Sequence, residues 1–173
     1  MTKCIFNLAI ILTLSLSCNK AFGDTKSLDG YIDSKCKKGC VSSSELDSAV
    51  LKASKKLSIS SNLILSVVSV ESGFKKKAVN GGNVGLMQVN MHYHRSKFKG
   101  ANPYSTFKNV EVGSIILKEC LDRSHNSLNR ALVCYNGHGD KNYVSKIRKR
   151  LAEVNRLVKH NNLNKQLTKG KKK

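Results

Sequence analysis

Apolar residues recur at helical spacing along most of this chain, and five helices are predicted from them. Over 43–57, Leu46, Val50, Ala53 and Leu57 line one face, behind Ser42 and Glu45 at capping-box separation. Ile64, Val67, Val68 and Glu71 follow at i, i+3, i+4, i+7, with Ser60 or Ser61 able to cap and Gly73 able to end the helix in a left-handed turn. A third helix is predicted over 109–121 on Val110, Ile115, Ile116, Leu117 and Leu121. Gly113 in its interior costs about 1 kcal/mol against alanine, which close helix packing would offset. A fourth starts at Ser127 and ends near Tyr135, and a last runs over 142–160 on Val144, Ile147, Leu151, Val154 and Val158.

Between these helices, Asn80-Gly81-Gly82-Asn83 marks a loop with residues at positive φ. Residues 85–90 lead into a short irregular helix, and 93–108, with the only proline (Pro103), reads as an extended connection. Residues 24–41 read as a polar arm with little periodicity, and no period-two run is long enough to predict a strand. The fold class expected is mainly α, in one domain.

The N-terminus changes the setting. Lys3, the apolar stretch from Ile5 to Ser17 and Ala21-Phe22-Gly23 have the layout of a signal peptide (1–23) cleaved after Gly23, with export to the periplasm as the consequence. The apolar run is short for a membrane span, and a lipoprotein site at Cys18 ranks second because Ser15 stands where such signals usually carry leucine. Removal of the signal leaves Cys36, Cys40, Cys120 and Cys134, an even set in an exported chain and hence a disulfide framework. Four cysteines allow three pairings. The predicted hairpin around 122–127 favours Cys120–Cys134, which leaves Cys36–Cys40 to close a small loop. The spacings match no compact Cys/His site, and His92 and His94 lack ligand partners, so no metal and no cofactor are expected. The formal net charge is +20, of which Lys3 and Lys20 carry two units, leaving +18 after cleavage. Such a surface attracts polyanions, and for an exported chain the carboxylates of the cell wall are more accessible than nucleic acid. The tail Lys169-Gly170-Lys171-Lys172-Lys173 is expected to be disordered.

Glu71 closes an otherwise apolar helical face, where burial raises a carboxyl pKa toward the value that suits a general acid. An acid swung out to solvent is the competing reading of that helix alone. Glu71-Ser72-Gly73-Phe74 is followed by Gly85-Leu86-Met87-Gln88-Val89-Asn90, then Ala131-Leu132-Val133-Cys134-Tyr135-Asn136-Gly137, then Tyr143 and Ile147. In order and approximate spacing this set resembles the soluble lytic transglycosylase family, over roughly 59–151. The resemblance implies a lysozyme-like fold for a catalytic region of 42–151, with 152–173 as a basic helix end and tail. It implies peptidoglycan glycan strands as substrate and cleavage between N-acetylmuramic acid and N-acetylglucosamine by one glutamate, at the position of Glu71. The size also resembles specialised enzymes that open the wall for secretion, conjugation or pilus machines. A monomer is expected.

Glycosidic hydrolysis normally uses two carboxylates. Neither downstream motif contains an acid, and Asp140 is the nearest candidate in sequence. One acid suffices if the 6-hydroxyl of the muramic acid replaces water and attacks its own anomeric carbon, an intramolecular step that gains from prepaid orientation. By the resemblance, Ser72 bonds near the substrate or the acid, although a serine at a helix end can equally satisfy backbone. Met87 and Gln88 line sugar subsites, and Leu86 belongs to the core. Tyr135 sets its hydroxyl on the glutamate, Asn136 contacts substrate or fixes the turn, and Tyr143 supplies the last aromatic of the pattern, with packing as its other role. Two departures stand out: Cys134 replaces the alanine most relatives carry, and Gly137-His138-Gly139 replaces Ala-Gly. The alternative functions are a hydrolytic lysozyme with Asp140 as second carboxylate, and a non-enzymatic basic protein that binds wall or DNA.

Overall fold

The structure is a computed structural model and describes residues 25–137 and 139–170. The signal peptide read from the sequence (1–23) and the last three lysines lie outside the described residues. Seven α-helices are present among those described: α1 Thr25–Lys35, α2 Ser43–Leu57, α3 Ser61–Glu71, α4 Met91–His94, α5 Thr106–Arg123, α6 Leu128–Asn136 and α7 Tyr143–Gly170. Helix α3 is the centre. Every residue from Leu63 to Ser69 is buried, with α2 against one side and α7 against another. Helix α5 in turn packs on α2 and α6. This is the mainly-α arrangement the periodicity predicts.

The caps explain the boundaries. Ser42 accepts from the Glu45 amide at the start of α2. The Glu45 carboxylate does not complete the reciprocal half of the capping box but pairs with Lys76, at 2.9 Å, in the segment after Glu71. Helix α5 begins three residues earlier than expected, behind Ser105, and α7 continues ten residues past 160 to Gly170. The expected disorder of the tail is therefore corrected for Lys169 and Gly170.

Two further differences concern elements too small to leave a periodic trace. The supposed arm forms α1, whose Leu28, Tyr31 and Ile32 (0, 8 and 3 % exposed) make one turn's worth of apolar face and enter the core. Three two-residue strands, β1 Val79–Asn80, β2 Asn83–Val84 and β3 Val89–Asn90, form an antiparallel sheet of order β1-β2-β3. Asn80 pairs with Asn83 across Gly81 (φ 53) and Gly82 (φ 84), a two-residue turn whose positive φ values glycine accepts without strain.

Both disulfides follow the favoured pairing. Cys36–Cys40 closes the turn after α1, and Cys120–Cys134 joins α5 to α6 with Cα atoms 5.7 Å apart. No described helix is long and apolar enough to cross a membrane.

Candidate active site

Helix α3 delivers Glu71 at its last turn, where the chain leaves the core and the carboxyl group faces a groove of about 370 Å³. Burial pushes the Glu71 pKa up to about 7, and a hydrogen bond from the Tyr143 hydroxyl, 2.5 Å from Oε1, works in the opposite direction. Burial, and after it the Glu71 carboxylate, holds the Tyr143 phenol far above its ordinary pKa, so it remains a donor. Near neutral pH the carboxyl group therefore exists in comparable protonated and ionised populations, the condition for giving a proton and taking one back.

The segment after Glu71 is held from outside. Gly73 (φ 55) and Phe74 (φ 70) both adopt left-handed backbone, which is uncommon for a phenylalanine. Phe74 is fully buried, edge-on to Tyr31 at 5.7 Å, and its carbonyl accepts from the Val41 amide at 3.0 Å. The Lys76 amide donates to Gly39 O, inside the turn that the Cys36–Cys40 bridge closes. The N-terminal segment is thus a brace for the acid, a role its composition did not reveal.

The opposite side is set by Asn109, buried on α5. Its Oδ1 accepts from the Met87 amide at 2.8 Å, while its amide nitrogen donates to the carbonyls of Val84 and Pro103. Gly85 (φ 76) lies so close to this side chain that an added Cβ would come within 2.2 Å of Nδ2. Gly113 likewise lets Met87 settle on α5, where a Cβ would meet the Met87 Cβ at 2.5 Å. These contacts give both glycines a packing reason and place Gln88 (φ 45) on the groove wall.

Several residues take places other than those expected of them. Met87 is fully buried, so its side chain is core rather than sugar subsite. Its carbonyl instead accepts from the Tyr135 hydroxyl at 2.8 Å. The two tyrosines consequently exchange roles: Tyr143, 4 % exposed, bonds the acid, while Tyr135 anchors the Met87 backbone and borders the groove. Ser72 gives its hydroxyl to Val68 O at 3.1 Å, the backbone-satisfying arrangement, and does not line the groove. Gln88 does line it, with its amide nitrogen spent on Ala78 O and Gly85 O and its amide oxygen the group it can offer a sugar. Asn136 lines the groove as well and ties down the following turn through Asp140 O at 3.2 Å. Leu86 is core, as expected.

The sequence reading missed Asn83, Asn90, Tyr93 and Arg123, which all border the groove. Asn83 and Asn90 are cross-strand partners, a pairing visible only once the register is known. Tyr93 is 74 % exposed, large for a ring with no core to join. Asp140 is absent from the groove wall. Its carboxylate accepts from Lys146 at 2.7 Å and from the Asn142 amide, which hold its pKa down. Among the described residues, Glu71 is the only carboxylate that lines the groove, and no group of three or more potential metal ligands is present.

A mainly helical, lysozyme-like domain with one elevated acid in a polar groove defines the class of protein. Residues 48–156 match the transglycosylase SLT domain, and the chain belongs to that family. Its members are lytic transglycosylases that act on peptidoglycan. No solved structure matches the chain significantly.

Proposed function

We propose that this protein is a peptidoglycan lytic transglycosylase in which Glu71 acts alone, first as acid and then as base. The observation that carries this reading is the single carboxylate of the groove, raised by burial to about 7 and bonded by Tyr143. Protonated Glu71 gives its proton to the glycosidic oxygen of the β-1,4 bond between N-acetylmuramic acid and N-acetylglucosamine, and that bond breaks. The resulting carboxylate takes the proton of the muramyl 6-hydroxyl as this oxygen closes on C1. The product is a 1,6-anhydromuramic end, and no water is consumed. Tyr143 keeps the carboxylate in place between the two transfers, and Tyr135, through the Met87 carbonyl, holds the wall that faces the sugar.

The site of action under this reading is the periplasm, after removal of residues 1–23. There the chain makes local openings for a secretion, conjugation or pilus apparatus. The N-terminal residue of the exported chain, read by mass spectrometry, tests the first statement: Asp24 is expected. The enzyme is tested on purified sacculi with residues 24–173 and with Glu71→Gln. Released muropeptides lighter by one water than hydrolytic products are expected, reduced 10²–10⁴-fold or more in the variant, the range for loss of a general acid. Reducing ends would instead identify a lysozyme. An intact sacculus in the presence of correctly folded protein overturns the enzymatic reading altogether.

A further inference from the structure

Besides Glu71, the groove is bordered by α4 and by the last turn of α5. Tyr93 and His94 face it from α4, and Arg123 borders it from α5 beside the Cys120–Cys134 bridge. Lys97, which acts on His94, is bound to Glu119 at 2.5 Å. Arg123 differs. Its Nε donates to Glu119 O at 3.2 Å and one terminal nitrogen leans on Cys120 Sγ at 3.7 Å, yet no ion pair among the described residues includes it. The guanidinium is thus tethered at the groove by weak contacts, with N–H groups in hand and no carboxylate. Arginine's planar fork matches a carboxylate in a way an ammonium does not. His94 is held below its ordinary pKa by partial burial and then by Lys97, with Glu119 opposing and Arg123 adding a smaller push, which places the Arg123 guanidinium close to the His94 ring. Tyr93 offers an exposed ring from α4, edge-on to His92 and His94.

We propose that this part of the groove is a subsite for a peptide-substituted muramyl residue, in which Arg123 takes a stem-peptide carboxylate and Tyr93 receives the apolar face of the sugar. The inference rests on the peptidoglycan reading above and adds a preference for strands that still carry their peptides over strands stripped of them.

The test is a binding titration, so that it is separate from cleavage. A Glu71→Gln protein, which cannot turn over its ligand, is titrated by NMR with a peptide-bearing N-acetylglucosamine–N-acetylmuramic acid tetrasaccharide and with the same sugar lacking peptides. The peptide-bearing ligand is expected to bind about tenfold tighter, as one charge-assisted contact allows. Adding Arg123→Gln should bring the two affinities together, and Arg123→Lys should restore part of the gap. Equal affinity of both ligands for the Arg123 protein, or a gap that survives Arg123→Gln, overturns the subsite while leaving sacculus cleavage as it was. Binding of neither ligand, with sacculi left uncut by the Glu71 enzyme, would bring down the enzymatic reading and the subsite with it.

Discussion

Glu71 carries a cost as well as a function. Its folded pKa, about 7, lies above the ordinary 4.5, so the unfolded chain releases this proton first as pH rises. Over that interval the folded state binds more protons than the unfolded one, and the group's contribution to stability falls from about pH 4.5 to pH 7 and stays low above it. The full penalty is on the order of 3 kcal/mol. Glu71→Gln removes it, so urea denaturation should show the inactive variant more stable than the parent at pH 8, by up to about that amount, with the two converging near pH 4. Equal midpoints at pH 8 would mean the carboxylate is not destabilised by its site. Tyr143 acts on the same proton with opposite sign, since its hydroxyl favours the ionised form. Tyr143→Phe should therefore move the alkaline limb of the kcat/KM profile to higher pH and lower the acid-side plateau. A limb that stays in place would assign Tyr143 to packing alone.

At the scale of elements, the site depends on how closely α5 approaches the segment ahead of it. Gly113 is the contact point, and its added Cβ would fall 2.6 Å from Met87 Sδ. Helix propensity alone favours Gly113→Ala by about 1 kcal/mol. Overpacking of this kind costs about 1–3 kcal/mol and must displace Met87, whose carbonyl anchors Tyr135. The variant is expected to be less stable than the parent despite its better helix former, and to lose activity, measured by thermal unfolding and by muropeptide release. A net gain in melting temperature would show that Met87 can retreat freely. The same element is fastened at its far end by Cys120–Cys134, whose 14-residue separation corresponds to roughly 3 kcal/mol of loop-closure entropy. The brace formed by α1 and the Cys36–Cys40 turn completes the frame from the N-terminal side, ahead of the family-matching residues.

For the whole molecule, charge and substrate are complementary. A chain of formal net charge +20 meeting a wall rich in carboxylates gains from long-range attraction that salt screens within about 10 Å at 0.1 M. Raising ionic strength from 50 to 300 mM should increase KM on sacculi several-fold while leaving kcat on saturating substrate nearly constant. A parallel fall in kcat would place the salt effect on the active site rather than on encounter. The described ion pairs are partly exposed, the tightest-held side chains at 24 % or more, so they offer little individually to stability. The surplus cations are available to the substrate.

The sequence by itself determined the helical class, the acid at the end of an apolar helix, the left-handed Gly73 and the positive φ of the loop Asn80-Gly81-Gly82-Asn83. Each of these is a local matter of side-chain periodicity or backbone freedom. The favoured cysteine pairing also followed, because α5 and α6 form a hairpin whose loop length brings 120 and 134 together. Only the tertiary structure decided which tyrosine bonds Glu71. Both lie near it in space, and a hydroxyl's partner depends on how α6 and α7 rotate against α3. The burial of Met87 was equally invisible, since it depends on the absent Cβ of a glycine 26 residues away in a different element. The latch of Asn109, the brace of α1 and the place of Arg123 on the groove wall share that origin. They are contacts between segments distant in the chain, and nothing in the spacing of residues along it encodes which faces will meet.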